Sequence, residues 1–242
     1  MDFTREIEED LFELGSEVVS VLVTVRNETT DVAPLKALPK ADNSDLIITY
    51  LAISTTSTTE IETSHKALAE DLKARDIEKI DVLIANAGSG ICFRSTVDTP
   101  LSSIAIDFYT NTLGPIALDQ ILYPFLKAST NAKFVNIGSI LGSILGSIGA
   151  IMPGAPTLSY GTSKAAVHYA AKRIHNEEEK MMFLTIHPGQ KTDKLFADSI
   201  GVPAPPMTVE QIAEGVLTQI DTATKETTSG TFVGFGGVEV PW

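Results

Sequence analysis

The feature that most constrains this chain is an alternation. Short apolar runs rich in β-branched residues recur between longer stretches whose apolar residues fall at helical spacing. The strand-like runs are 18–25 (VVSVLVTV), 45–53 (DLIITYLAI), 81–88 (DVLIANAG), 133–139 (KFVNIGS), 183–189 (FLTIHPG) and 230–240 (GTFVGFGGVEV). Between them lie helical patterns at 4–14 (Ile7, Leu11, Leu14), a short patch at 35–38, 60–75 (Ile61, His65, Leu68, Leu72), 100–128, 157–178 and 208–222. A strand that is apolar on both faces must be covered on both faces. Strands of that kind alternating with helices predict an α/β protein with a doubly wound, Rossmann-like parallel sheet. At 242 residues, with no composition break or long-period repeat, 1–242 reads as one domain.

Composition narrows the function classes. The formal charge of −13 argues against nucleic acid and against anionic membrane surfaces as partners. No apolar run reaches the ~18 residues that a membrane span requires. The start of the chain is acidic (Glu6, Glu8, Glu9, Asp10), unlike a signal or transit peptide, so a cytoplasmic location is expected. A single cysteine, Cys92, excludes an internal disulfide and predicts a buried apolar role. His65, His168, His175 and His187 have no metal-ligand spacing and are assigned to packing or solvent contacts.

The chemistry-bearing pattern is "LSYGTSKAAVHYA" (158–170), with Tyr160 four residues before Lys164 at the start of a helix. That spacing puts both side chains on one face, and a neighbouring ammonium favours the phenolate. Around this pair stand Asn86, Ala87 and Gly88 after a strand, "NTLGP" from Asn111, a serine after "VNI", and Pro188 with Gly189 after another strand. In this order and spacing the chain resembles the short-chain dehydrogenase/reductase family along essentially its whole length. "KAAVHYAAKRIHNEEE" and the ending "GVEVPW" most resemble its fungal norsolorinic-acid ketoreductase-like branch, which is related to sniffer-type carbonyl reductases.

The resemblance implies a proton relay. Tyr160 is the acid/base toward a carbonyl or alcohol, and Lys164 lowers its pKa and holds the nicotinamide ribose. A serine hydrogen-bonds the substrate oxygen, and Asn111 holds a water connecting Lys164 to solvent. Hydride delivery to a carbonyl leaves an alkoxide that needs a placed proton donor, so the chemistry is self-consistent. The serine is ambiguous. The family's common spacing, thirteen residues before the tyrosine, selects Ser147, whereas the strand-end context selects Ser139. Strand position fixes where a side chain points while loop length is free to grow, so Ser139 is favoured, with Ser143 and Ser147 as alternatives. The resemblance also places Asn86, Ala87, Gly88, Tyr160, Lys164, Pro188, Gly189 and Thr192 beside an NADP(H) cofactor. Arg26, at the end of a strand in "TVRN", falls where the branch's arginine faces the 2′-phosphate, a dianion that a guanidinium suits.

Two departures from the family pattern stand out. Gly15 is the only glycine before Gly88, so the glycine-rich turn that cradles a pyrophosphate and the strand before it are not found. An N-terminally truncated sheet with a gap or substitute strand at its centre is therefore expected. Ala52 stands where the family often has an acidic residue, and "QKTD" after Gly189 is one residue short of the branch's usual run to Thr192. Three readings follow. The leading one is an NADP(H)-dependent ketoreductase acting on a polyketide-like or aromatic small molecule, its pocket lined by Phe93, Met152, Met207 and "GVPAPPM". The others are a cofactor-independent isomerase, dehydratase or cyclase descended from a reductase, and a non-catalytic binding protein. Apolar residues beyond one stripe on the 100–128 and 157–178 helices (Leu118, Ile121, Leu122, Ala170, Ala171) predict a homo-oligomer.

Overall fold

The computed structural model describes residues 20–38, 40, 44–146, 153–189 and 207–242. The helix expected at 4–14 lies outside the described residues, as do Ser147, Met152 and Thr192. Strands β1 (Ser20–Val25) and β2 (Asp45–Tyr50) flank α1 (Ala33–Lys36), a single turn with Pro34 inside its start. Helix α2 (Thr58–Ala74) begins at Ser57, whose hydroxyl accepts the Glu60 N–H, and ends where Asp76 turns left-handed at φ 57°. Strand β3 (Val82–Ala85) leads to α3 (Leu101–Phe108) and α4 (Gly114–Ala128), and β4 (Lys133–Ile137) follows. Helix α5 (Leu158–Glu177), β5 (Met182–His187), α6 (Val209–Thr222) and β6 (Phe232–Gly234) complete the order. None of the described helices is long and apolar enough to cross a membrane.

All strand pairs in the ladders are parallel, in register Val21↔Leu46, Leu83↔Phe134, Val135↔Leu184 and Ile186↔Val233. The α/β class is as expected, and the described strands fall in two ladders. β1–β2 form one ladder and β3-β4-β5-β6 another, and no described strand joins β1 to β3. The alternation along β4 and β5 explains the layers above and below them. Phe134 and Phe183 face one way, into a core with Leu68, Leu72, Leu118, Leu122, Phe125 and Leu126 from α2 and α4. Val135, Ile137, Leu184 and Ile186 face the other way, onto Ala213, Val216, Leu217 and Ile220 of α6. Val21, Val23 and Val25 pack instead on Leu35 and Leu38, a separate small cluster. Leu22 and Ile53 reach the α2–α4 core, which therefore touches both ladders.

Two expectations need correction. The stretch 100–128 is not one α-helix. A π turn, Tyr109–Leu113, joins α3 to α4, and it carries Asn111; π bulges concentrate at functional positions. The long terminal strand is only three residues, because a turn at Gly237 (φ 79°) folds the chain back. Val240 N–H then bonds Phe232 O at 2.7 Å and Gly234 N–H bonds Val238 O at 2.8 Å. Cys92 is buried, as its apolar reading predicts.

Candidate active site

The candidate residues gather at the carboxyl ends of β3, β4 and β5, where open parallel sheets place their ligand crevice. Ser139 follows β4 and caps a short 3-10 turn (Ile140–Gly142), its hydroxyl accepting the Leu141 N–H at 3.2 Å. That turn lies directly on α5. A Cβ at Gly142 would stand 2.7 Å from Ala165 N, and one at Gly161 would stand 2.8 Å from Leu141 O. Glycines at both positions let the serine turn and the helix touch backbone to backbone. As a result the Ser139 hydroxyl is set beside the Tyr160 phenol, where it acts to lower the phenol's pKa.

Ser143 is used elsewhere. It is fully buried, its hydroxyl donates to Pro241 O, and it accepts Gly146 N–H at 2.8 Å. Of the two described candidates, it is therefore Ser139 that stands beside Tyr160, and Ser147 lies outside the described residues.

Lys164 is one helical turn beyond Tyr160. Its Nζ donates to Ile137 O at 2.7 Å and stands 5.7 Å from the centre of the tyrosine ring. Tyr160 is half-buried at the start of α5. Burial pushes the phenol up to about 12, against the Ser139 hydrogen bond, which lowers it, and with the Asp107 carboxylate, which raises it. Burial brings Lys164 down to about 8, opposed by Asp107. Desolvation is the largest influence on the phenol, while the Lys164 ammonium is held by a main-chain carbonyl.

Asn111 clamps rather than leaving its amide open to water. Its Oδ1 accepts Ser89 N–H at 2.8 Å, while Nδ2 donates to Ser89 O at 2.7 Å and to Ser163 Oγ at 2.9 Å. Both amide protons are used, so the water-holding role implied for Asn111 is not available to the Nδ2 group. The side chain ties the loop after β3 to α5. Thr112 adds a bond from its hydroxyl to Ser163 O at 2.8 Å.

Asp107 is a residue that the sequence reading missed. It is fully buried on α3, and its carboxylate accepts Ser89 Oγ at 2.8 Å and Ser159 Oγ at 2.5 Å. It therefore joins the same loop to the residue beside Tyr160. A lone aspartate in an apolar helix stretch, "SSIAIDFYTN", was the available signal. His168 was likewise missed as a site neighbour. Its Nε2 accepts the Ser139 N–H at 3.2 Å, and burial, then the Lys164 and His187 charges, hold it down to about 3.

The remaining candidates divide. Ala87 and Gly88 expose main chain beyond β3, with half-buried Asn86 before them. A Cβ at Gly88 would lie 3.3 Å from Asn111 Oδ1 and 3.7 Å from Lys164 Nζ. Pro188 and Gly189 follow β5, with Gly189 at φ 94° and the Met207 sulfur 3.4 Å from where its Cβ would stand. Phe93 faces Tyr160 at 6.4 Å between ring centres. Arg26 belongs to the other ladder, exposed just past the end of β1.

A doubly wound parallel sheet with a Tyr–Lys pair, a strand-end serine and an asparagine at its carboxyl edge defines the class. The family model described as short chain dehydrogenase matches residues 4–193. The chain belongs to that family, and is thereby an oxidoreductase. It is 33% identical to the short-chain dehydrogenase RED3 of Pyricularia oryzae over 92% of this chain and 88% of the relative. It is 32% identical to the norsolorinic acid ketoreductase of Aspergillus parasiticus over 92% of this chain and 82% of the relative. Among solved structures, the carbonyl reductase Sniffer of D. melanogaster superposes with a TM-score of 0.79 at 24% identity, covering 98% of this chain and 94% of that one. The NADPH-bound carbonyl reductase from chicken fatty liver gives 0.77 at 22% identity, covering 99% and 94%.

Proposed function

We propose that this protein is an NADP(H)-dependent ketoreductase that interconverts a ketone and a secondary alcohol on a polyketide-like or aromatic metabolite. The observation that carries the reading is the packing of the Ser139 turn onto the start of α5, which sets Ser139 beside Tyr160 with the Lys164 ammonium 5.7 Å from the tyrosine ring. The cofactor is supported by fit. The exposed main chain of Ala87 and Gly88 beside Lys164 is a ledge that suits a ribose, and Pro188 and Gly189 border the nicotinamide side. Arg26 is the candidate partner of a 2′-phosphate, and Thr192 lies outside the described residues. The NADPH-bound state of the chicken carbonyl reductase and the ketoreductase relatives favour the same choice.

When bound, the cofactor supplies or takes the hydride. The chain's own residues manage the oxygen. A carbonyl oxygen placed at the Ser139–Tyr160 pair accepts from both hydroxyls, which orients it and stabilises negative charge as it develops. Tyr160, whose phenol burial raises to about 12 and which is protonated at neutral pH, then gives its proton to that oxygen. Lys164 retains most of its charge at pH 7 with a pKa of about 8, and so offsets the phenolate left behind. In the oxidation direction the phenolate takes the proton back. Asn111 and Asp107 keep the loop after β3 and the start of α5 in register while this happens.

A second reading, a cofactor-independent isomerase, dehydratase or cyclase, would use the same Tyr160–Lys164 acid/base pair without hydride transfer. Titration with NADPH, followed by assay against aromatic ketones, separates the two. NADPH binding and ketone-dependent NADPH oxidation are expected. Tyr160-dependent turnover in the exhaustive absence of nucleotide would replace the first reading by the second. Assembly as a homo-oligomer is part of the proposal. Tyr169 on α5, Val97 and Leu101 near the start of α3 are 74%, 92% and 82% exposed, and light scattering at micromolar concentration should give a multiple of 25.9 kDa.

A further inference from the structure

Beyond β4 the chain must stop pairing as a strand and hand its next side chain to Tyr160. Gly138 N–H makes the last ladder bond, to Ile186 O at 2.8 Å. The next N–H, that of Ser139, goes to His168 Nε2 at 3.2 Å. An N–H donor requires a lone pair at Nε2, so the imidazole is neutral with its proton on Nδ1. Nδ1 has no partner among the described residues, which makes the Ser139 N–H the ring's one hydrogen bond there. Room for this contact exists only because residue 138 is glycine. A Cβ there would stand 2.6 Å from both His168 Nε2 and Thr185 Cγ2.

The ring is gripped from its other sides. Phe232 lies 4.5 Å away between ring centres, and Trp242 meets it nearly edge-on at 5.8 Å. Phe232 and Trp242 are 5.5 Å apart, and the Lys172 ammonium sits 5.9 Å over the indole. The segment that brings Trp242 here also holds the serine loop directly. Pro241 O accepts the Ser143 hydroxyl, and Trp242 O accepts Leu145 N–H at 3.4 Å. Tyr160, Lys164 and His168 are spaced four residues apart on α5, so one rigid helix carries the proton donor, the cation and the residue that holds Ser139.

We propose that His168, buttressed by Trp242 and Phe232, is a positioning residue that fixes the Ser139 main chain and thereby aims its hydroxyl at Tyr160. It touches no reacting atom. Its effect on turnover rests on the ketoreductase reading, and its effect on Ser139 does not.

The test compares His168→Phe, which keeps a ring and removes the acceptor, with His168→Gln, which restores an acceptor at the Nε2 place. His168→Phe should lower kcat for ketone reduction about 10- to 100-fold, with NADPH Kd unchanged. His168→Gln should recover most of it. Trp242→Leu should fall between them. Trp242 is the only tryptophan, so its emission reports the clamp directly and should shift in His168→Phe. Exchange of the Ser139 amide, followed by NMR, should be slow in the wild type and much faster in His168→Phe. Wild-type kcat in a folded His168→Phe variant would overturn the proposal, as would loss of NADPH binding in parallel with kcat. If the wild type reduces no ketone, the ketoreductase reading fails alone. The amide arm then decides, and equal Ser139 exchange in wild type and His168→Phe overturns the positioning role.

Discussion

Strands β1–β2 and strands β4–β5 have similar sequences and very different surroundings. Val135, Leu184 and Ile186 are at most 1% exposed, between the α2–α4 core on one side and α6 on the other. In the smaller ladder Leu22, Leu46, Ile47 and Ile48 stay half-buried, and among the described residues the single turn α1 lies over one face of β1 while Leu22 on the other face meets the α2–α4 core. The difference shows that an apolar strand is sealed by the layers it is given, not by its own composition. It also divides the work. Tyr160, Lys164, Ser139 and Asn111 sit with the sealed ladder, where packing holds hydroxyls in fixed geometry, and Arg26 alone sits with the open one.

The largest test of that division is Tyr160→Phe. It should cut turnover by about 10²- to 10⁴-fold, the usual contribution of a general acid, with an unchanged circular dichroism spectrum. Full activity in this variant would remove the chemistry from the sealed ladder altogether. Next comes packing. Leu184→Ala should cost about 2–5 kcal/mol of stability, read as a lower urea midpoint at constant slope. Leu22→Ala, in the half-buried ladder, should cost about 1 kcal/mol. Equal costs would mean that the two ladders are equally sealed.

A smaller effect sharpens the role of α4, the layer that touches both ladders. Burial there, with the Glu178 charge, raises Asp119 to about 6. Below pH 3.8 the group is protonated folded or unfolded and has no influence. As pH rises toward 6 the unfolded chain ionises first and binds fewer protons, so stability from this residue falls. Asp119→Asn should therefore raise the Tm at pH 7, by a free energy on the order of 2 kcal/mol, and leave it nearly unchanged at pH 3.5. A pH-independent gain would point to packing instead. The smallest effect belongs to the open ladder. Arg26→Ala should weaken NADPH about tenfold with NADH unaffected, since only NADPH has the 2′-phosphate for a charged hydrogen bond. Equal weakening of both nucleotides would separate Arg26 from that phosphate.

Much of the fold was legible because it is local. The helices read at 157–178 and 208–222, the strands read from 45, 133 and 183, each within a residue of where they begin, and the shared face of Tyr160 and Lys164 all follow from periodicity read over a dozen residues. Strand-end position likewise placed Ser139 rather than Ser143 beside Tyr160, because a residue at the end of a buried strand has its direction set by the pleat. What depended on contacts between distant segments was not legible. The last strand was read too long, since a turn at Gly237 reverses the chain where apolar alternation continues.

Nothing in the spacing joined Asp107 to Ser89 and Ser159, His168 to Ser139, or Pro241 to Ser143; these partners are 18 to 98 residues apart. The charge state of the Tyr160 pair was also beyond the sequence. An i,i+4 cation suggests a lowered phenol, but burial raises it to about 12 and turns the Lys164 ammonium toward Ile137 O. The sequence by itself determined which residues lie at strand ends and on one helix face, because those follow from backbone geometry. Only the tertiary structure decided which of them are desolvated and which hydrogen-bond one another, because solvent exclusion and pairing belong to the packed layers and not to any one segment.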